Sequence, residues 1–480
     1  MKKRPPIIVV LGHVDHGKST LLDYIQNTKI VEKEAGGITQ KVSAYEIEFK
    51  GEKITFIDTP GHEAFSKLRE RGAKIADIGI LVVAGDEGVM PQTIESIKYL
   101  KSYNIPFIVA INKIDRPNAN PEKVKKELSE NEVIVEEWGG NVPCVNISAL
   151  KGEGIDDLLE IILIMADILD LKYDEDKKGE GYILETSKDP KRGILVGGIV
   201  VDGKVSIGDY IVTASSYGKI RFLEDSFGKK LDYAYPSRPI LISGFESLPN
   251  PGENFKIVEK DEIETIKKEL EDKERGYEKK IIISTQEPTG DINIILRGDH
   301  LGSLEALSKI FEKVSKDLNK NIKIIKSDLG PITTDDIKLA KESGAILVAF
   351  NVKNQKNIYE EIKNLNLKLI ESNVIYEIEN ILKDLKEEKE GEIVKGRLEV
   401  LGIFNKTATK KTIGGKVLAG KLRLNNRVLI KRGEAIIGRG KILSLEKNKV
   451  PVEEVLENEL CGLIVETNID FELNDIIEVI

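Results

Sequence analysis

Nine residues near the start of the chain, GHVDHGKST from Gly12 to Thr20, place two histidines and an aspartate in a loop that ends in Gly17-Lys18-Ser19. The spacing Gly12-x4-Gly17-Lys18-Ser19 follows an apolar run of strand length and precedes a segment of helical periodicity, the context a phosphate-binding loop requires. In such a loop the backbone N–H groups of Gly12, His13, Val14, Asp15, His16, Gly17, Lys18, Ser19 and Thr20 turn inward on phosphate oxygens. Lys18 sets a point charge against the outer two phosphates, and the Ser19 hydroxyl can ligate Mg2+. A plain glycine-rich turn is the alternative, and it is weakened by the motifs that follow. Asp58-Thr59-Pro60-Gly61 ends an apolar run, where the Asp58 carboxylate can reach the metal shell, through water, and the Gly61 N–H the terminal phosphate. Thr39, in GGITQ, is placed to give the metal a second hydroxyl.

A base is read further along. In Asn112-Lys113-Ile114-Asp115 the carboxylate of Asp115 can accept both N1–H and the 2-amino group of guanine, a pattern adenine does not offer, so the nucleotide is expected to be GTP. Ser148-Ala149-Leu150 would close the opposite edge with a backbone N–H on the guanine O6. His62 follows directly on Gly61, and although a lone histidine is more often structural, this one is placed to position an attacking water. Phosphoryl transfer through a loose transition state needs such positioning more than it needs a strong base. His13 and His16 are expected to shape the loop rather than to react. His300 receives no role.

The elements that must hold these residues can be read from periodicity. IIVVL, KITFID, IGILVVA, PFIVAIN and PCVNIS are strand-length apolar runs alternating with helical segments such as Thr93–Ser102 and Ile155–Leu169, which implies a parallel sheet covered on both faces. AYEIEF alternates in polarity and predicts an added edge strand. The expected fold class is α/β and multidomain: a P-loop GTP-binding domain over 1–172, a β-barrel over 181–258, a small α/β domain over 281–372 and a second β-barrel over 391–480, joined by charged linkers and helices such as KYDEDKKGEG. A length of 480 residues suits several cores. The two cysteines, Cys144 and Cys461, lie far apart without metal-ligand spacing, which implies a reducing compartment and no structural zinc. No apolar run reaches about 18 residues, so a cytoplasmic protein with no membrane partner is expected.

GIVVDGKVSIGDYIV from Gly198 aligns without gaps on GKVLAGKLRLNNRVL from Gly415, which predicts two barrels of one fold. The net charge is −9, yet residues 395–449 carry 15 Lys+Arg against 3 Asp+Glu. That excess reads as a footprint for a phosphate backbone.

At GHVDHGK, AGGITQ, DTPGHEAF, GVMPQT and NKID the chain resembles the translational GTPases, and EAGGITQ, DTPGHEAF, ANPEKVKKEL and EWGG resemble bacterial translation initiation factor two in particular. The likeness continues through PSRPILISGFESLPNPGENF, GSLEAL and ITTDDIKLAKESGAILVAFNV to ILSLE and ELCG, nearly the whole chain. It implies a GTP- and Mg2+-dependent monomer that helps place initiator formyl-methionyl transfer RNA on the small ribosomal subunit, promotes joining of the large subunit and then hydrolyses GTP. No stable DNA binding is expected. Members usually carry a long extension ahead of the phosphate loop, which begins here at residue 12 and is expected to lack it. The resemblance also implies a formyl-methionyl pocket, of which Lys447, Cys461 and Gly462 remain. Gly415 stands for a cysteine, Glu446 for a lysine, Asn448 for an aromatic and Leu460 for a glutamate, so a weakened pocket and binding through backbone charge are expected. A metabolic GTPase and a GTP-dependent binding module are alternatives separated by whether ribosomes stimulate turnover, and another ribosomal GTPase is a closer one, for which binding to initiator against elongator transfer RNA is the measurement.

Overall fold

The computed structural model describes residues 1–26, 43–268, 292–318, 320–388, 396–406, 410–433, 435–447, 450–467 and 469–479; Thr39 and Asn448 fall outside them. The chain divides into two compact units. The first holds Met1–Glu287, Gly298–Ile310 and Asp328–Gly330, and the second holds the other segments through Ile480.

The first unit opens with a six-stranded sheet of β1 (Ile7–Gly12), β2 (Ser43–Phe49), β3 (Glu52–Asp58), β4 (Ile78–Ala84), β5 (Phe107–Asn112) and β6 (Cys144–Asn146) in the order β2-β3-β1-β4-β5-β6. All neighbours run parallel except β2, which pairs antiparallel to β3 at the edge. β1 and β4 are continuous apolar runs because both faces are covered, and every residue of each is buried. The helices are α1 (Lys18–Gln26), α2 (Ser66–Ile75), α3 (Pro91–Ser102), α4 (Pro121–Glu130) and α5 (Ile155–Leu169). Alternation along β1 sends Ile8 and Val10 to a core with Leu21 of α1 and Leu158 of α5, and Val9 and Leu11 to one with Ala73, Ile97 and Val124 of α2, α3 and α4. Each such side chain contributes about 1.5–3 kcal/mol of burial, an upper figure. The strands thereby bring the segments after β1, β3, β5 and β6 to one edge of the sheet, where ligands bind in open α/β folds.

The same unit continues into a closed barrel of β7 (Glu180–Asp189), β8 (Gly193–Asp202), β9 (Tyr210–Val212), β10 (Tyr217–Glu224), β11 (Pro239–Phe245) and β12 (Asn254–Val258), ordered β8-β11-β10-β9-β12-β7. Inward-facing Val196, Ile211, Ile220, Ile242 and Phe255 fill it. Arg4 ties barrel to sheet by a two-pronged contact with Asp77 (2.6 and 2.9 Å) and a bond to the Ser237 hydroxyl (3.1 Å), and Thr55 donates to the Ser237 carbonyl at 2.6 Å. The charged stretch KYDEDKKGEG is not wholly a linker, since Lys172–Tyr173 pairs with Lys2–Lys3 and Glu180 already belongs to β7.

The second unit carries a sheet of β13 (Ile292–Gly298), β14 (Ile322–Leu329), β15 (Ile346–Phe350) and β16 (Leu369–Ser372) in the order β14-β13-β15-β16. With it come α6 (Leu301–Leu318, whose residues through Ile310 belong to the first unit), α7 (Thr334–Ser343), α8 (Lys356–Asn364) and α9 (Ile375–Glu388). α7 starts at a reciprocal cap between Thr333 and Asp336 and stops at Gly344, whose φ is 61°.

The last barrel is β17 (Gly396–Lys406), β18 (Lys410–Arg423), β19 (Arg427–Arg432), β20 (Ala435–Lys447), β21 (Leu460–Glu466) and β22 (Ile476–Val479), paired in the ring β18-β21-β20-β19-β22-β17 that closes through β17–β18. Strand for strand this is the ring of the first barrel. The repeat is visible in the backbone too: the matched Gly203 and Gly420 have φ of 69° and 68°, and the matched Gly208 and Asn425 have φ of 94° and 67°.

The basic footprint is smaller than the sequence window suggests. Carboxylates from later strands and turns pair with Arg397, Lys411, Lys421, Arg423, Lys431, Arg432 and Lys447. Residues 450–480 supply nine acidic and no basic residues, so from Lys395 onward the barrel carries 15 cations against 12 acids. A window that stops at Lys449 misses the strands that neutralise it.

Candidate guanine nucleotide site

Turning from β1 into α1, the loop passes through conformations only glycine accepts cheaply. Gly12 has φ of 146° and an added Cβ would sit 2.3 Å from the Val82 carbonyl; at Gly17, φ is 89° and a Cβ would meet the Asn112 amide at 2.3 Å. Lys18 is buried, and its ammonium folds back to donate to the Gly12 carbonyl at 3.0 Å and the His13 carbonyl at 2.5 Å. Burial draws its pKa down to about 8, with the Asp58 carboxylate opposing. A cation held this dry attracts phosphate strongly.

The end of β3 closes on that cation. A Cβ on Gly61 would lie 2.6 Å from Lys18 Nζ and 3.1 Å from the Val14 nitrogen, so Asp58–Gly61 meets the loop face to face. One expected donor is otherwise engaged: the Val14 N–H donates to Gln92 Oε1 at 2.8 Å in this conformation. His16 is buried, its Nδ1 accepts the Ala84 N–H at 3.2 Å, and burial lowers its pKa to about 3. Its ring meets that of His13 edge-on with centroids 5.0 Å apart, so both histidines shape the loop.

His62 caps a short 3-10 turn, Glu63–Phe65, its Nδ1 accepting the Ala64 N–H at 3.0 Å. With Nδ1 accepting, the neutral ring carries its proton on Nε2. That tautomer donates to a water rather than deprotonating it through Nε2. The loop's chief support is a residue the sequence reading missed. Arg69, fully buried, donates from Nη1 to the carbonyls of Pro60 (3.0 Å), Gly61 (3.1 Å) and His62 (2.6 Å), while Nη2 holds Glu95 at 2.5 Å. Its place in the stripe Leu68, Arg69, Gly72, Ala73 on the inner face of α2 is the signal that could have found it.

On the base side, Asn112 is occupied at both ends: Nδ2 donates to the His16 carbonyl at 2.9 Å and Oδ1 accepts the Ala149 N–H at 3.0 Å. It thereby pins the phosphate loop to the Ser148 segment, and the second Nδ2 proton is left for a base. Asp115 Oδ1 accepts the Ser148 hydroxyl proton at 2.7 Å, which holds its carboxyl below the ordinary range. Lys113 has φ of 63° and its ammonium rests on Glu87 at 3.0 Å. The Ser148 N–H goes to the Glu153 carbonyl at 3.0 Å, so with Ala149 engaged the N–H left to face a base oxygen is that of Leu150, whose side chain is 75% exposed. Ser19 and Asp58 supply hard oxygen donors of the kind Mg2+ takes. Among the described residues no group of three or more His, Cys, Asp or Glu is arranged to hold a metal ion.

Three family models match successive parts of the chain: "Elongation factor Tu GTP binding domain" over residues 3–167, "Elongation factor G domain 2" over 178–258 and "Translation-initiation factor 2" over 264–383. Among curated proteins, translation initiation factor IF-2 of Onion yellows phytoplasma is 40% identical over all of this chain and 80% of its own length, and that of Thermoanaerobacter sp. is 42% identical over 71% of its length. The chain belongs to the translation initiation factor IF-2 family. It is accordingly a GTP-dependent translation initiation factor and a GTPase. The Aquifex aeolicus IF-2 is 44% identical, and the chain spans 61% of it. A solved structure, GDP-bound aIF5B from Aeropyrum pernix, aligns over 99% of this chain and 92% of that one at 26% identity, with a TM-score of 0.45.

The second barrel of this IF-2 family member also holds a cavity of about 370 Å³, lined by Leu401, Phe404, Glu446, Leu460 and Cys461 together with Gly402, Gly414, Gly415 and Gly462. Three expectations change here. Lys447 does not line it, because its ammonium is bound to Glu459. A side chain at 415 has no room, since a Cβ would stand 2.4 Å from the Glu399 carbonyl; Cys461, directly opposite Gly415 in register, borders the cavity while packing in the barrel's inner core. An aromatic wall is present after all, in Phe404.

Proposed function

We propose that this chain, with GTP and Mg2+, helps place aminoacylated initiator transfer RNA on the small ribosomal subunit, promotes joining of the large subunit, and hydrolyses GTP when the ribosome stimulates it. The observation that carries the catalytic part is the approach of Gly61 to Lys18 and Val14, with His62 next in the chain. Lys18 and the loop N–H groups hold the phosphates, Ser19 and Asp58 would hold Mg2+, which supplies charge neutralisation on the phosphate oxygens, and Asp115 selects guanine. The Gly61 N–H marks the terminal phosphate. His62 then donates from Nε2 to the attacking water, and Arg69 keeps the carbonyls of residues 60–62 from drifting. The protein acts as a monomer in the cytoplasm, and the cavity of the second barrel receives the acylated end of the transfer RNA.

His62→Ala is the test. The loss of positioning lowers ribosome-stimulated hydrolysis by roughly two or more orders of magnitude while GTP affinity stays within a few-fold. Equal losses in both would make the histidine a structural cap and no more.

A further inference from the structure

The motif GVMPQT, residues 88–93, lies between β4 and the first turn of α3, and most of it is explained by the start of that helix. Pro91 opens α3, the Met90 N–H donates to the Thr93 hydroxyl at 3.3 Å, and the Val89 N–H donates to Glu127 at 2.8 Å. The Gln92 side chain does something else. Its Oε1 accepts the Val14 N–H of the phosphate loop at 2.8 Å.

Gln92 reaches across from a rigid base. Ser96 Oγ donates to the Gln92 carbonyl at 2.7 Å, Thr93 and Ser96 are fully buried, and Ile97 and Leu100 of the same helix pack in the core with Val9 and Leu11 of β1. Glu95, three residues along and so on the same side of α3, holds Arg69, which in turn holds the carbonyls of residues 60–62. One side of one helix therefore fastens both walls of the site, the phosphate loop through Gln92 and the Gly61 segment through Glu95. The walls meet at Val14. A Cβ on Gly61 would lie 3.0 Å from Val14 Cα and 3.1 Å from the Val14 nitrogen, the atom whose proton Gln92 accepts.

Resting on the phosphate-site reading above, we propose that Gln92 is a positioning residue for GTP hydrolysis: by holding the Val14 peptide it fixes the surface that Gly61 packs against, and with it the places of the Gly61 N–H and of His62. The bond also sets the direction of the effect. While Gln92 accepts the Val14 N–H, that proton is withheld from phosphate oxygens. A side chain that cannot accept releases it, and the freed N–H turns to the bound nucleotide, adding a ground-state contact while the Val14 peptide rotates away from Gly61. Binding then holds or tightens as hydrolysis slows. Loss of a merely structural prop does the opposite, loosening the loop so that affinity and rate fall together.

Gln92→Leu, close in size but without an acceptor, tests it in the full chain. Single-turnover hydrolysis on ribosomes at saturating GTP is measured beside separate titrations of GDP and a non-hydrolysable GTP analogue. The rate falls roughly tenfold to hundredfold, the scale of a displacement of about an ångström near the reacting atoms, while both affinities stay within about twofold of wild type or tighten. Gln92→Glu keeps an acceptor for the Val14 N–H and adds a negative charge beside the phosphates, so it recovers most of the rate but needs more GTP to saturate. A Gln92→Leu variant that hydrolyses at the wild-type rate, or that loses GDP affinity in step with its rate, overturns the proposal. So does a Gln92→Glu variant as slow at saturation as Gln92→Leu, and in each case the phosphate-site reading stands. Nucleotide binding left intact by Lys18→Ala would instead remove the phosphate site itself, and the proposal with it.

Discussion

Asp115 shows how much one side chain can decide and how cleanly that can be tested. Its Oδ1 accepts from the Ser148 hydroxyl, a bond that an asparagine Oδ1 can also accept, so Asp115→Asn keeps the local frame and changes what faces the base. GTP affinity then falls and xanthosine triphosphate, which replaces the 2-amino donor with an acceptor, gains. A nucleotide competition assay that still favours guanine would remove Asp115 from the base. His16 makes a second prediction, about pH. Its pKa is about 3 in the folded protein against an ordinary 6.5, so between those values the unfolded chain binds the extra proton and folding stability drops as pH falls. The slope approaches about 1.4 kcal/mol per pH unit and amounts to about 2 kcal/mol by pH 5. Lys18 does not confuse the measurement, because its depressed pKa of about 8 acts only above that value, where stability rises with pH toward 10.5. His16→Asn, which can still accept the Ala84 N–H, should therefore show a smaller shift in urea midpoint between pH 7.5 and pH 5 than the wild type. Equal shifts would mean the imidazole is not the group that resists charging.

Elements bring these residues together, and they differ in how plainly the sequence announces them. Strands such as β1 are fixed by local pattern, since six apolar residues in a row followed by a glycine-bounded loop leave few alternatives. α5 runs Ile155–Leu169, the span that periodicity predicts, and α7 runs Thr334–Ser343 between the reciprocal Thr333–Asp336 cap and Gly344. α8 and β16 are not among the spans predicted above: KNIYEEIKN is nine residues with Ile358 and Ile362 buried, and LIES is four, each shorter than the stretch over which periodicity is read. Arg69 was illegible for another reason. In SKLRERGAKI it reads as a solvated helix charge, and only the packing of α2 against the end of β3 shows that it is buried on three carbonyls. The neutralised basic face of the second barrel and the placing of Glu446 beside Gly462 likewise depend on strand register, which no local window contains. Arg69→Ala follows as a prediction at this scale: three carbonyls lose a donor and Glu95 loses its partner, costing about 3 kcal/mol of stability. Lysine restores the charge but not the fork, so Arg69→Lys should recover only part of it. Chemical denaturation of the two variants checks the order, and a stable alanine variant would show that the clamp is incidental.

Within the first unit, the segment proposed to meet the terminal phosphate is joined to more than the sheet beneath it. α2, which begins four residues after His62, touches the first turns of α6: Arg71 pairs with Glu305 at 2.8 Å, Lys309 bonds the Ser66 hydroxyl, and a Cβ on Gly302 would meet Leu68 at 2.9 Å. Glu185 of the first barrel completes the junction from below. It is buried, accepts the Gly302 N–H at 3.1 Å and the Thr186 N–H at 3.0 Å, and has its carboxyl pushed up by that burial while His300, the histidine left without a role, draws it down. A carboxylate at the start of α6 also suits the positive end of the helix. Since Arg69 fastens residues 60–62 to α2, a phosphate that shifts the Gly61 N–H shifts α2 as a body, and the junction must either follow or break. Hydrogen exchange of residues 301–310 should therefore differ between GDP and a non-hydrolysable GTP analogue in the wild type, and Glu305→Ala should shrink the difference while leaving nucleotide affinity unchanged, because Glu305 meets α2 and not the nucleotide loop. Glu305→Arg with Arg71→Glu should restore part of it by remaking the pair with its charges exchanged. Exchange that ignores the bound nucleotide, or a Glu305→Ala variant whose difference remains whole, would show that α6 does not sense the state of the phosphate loop.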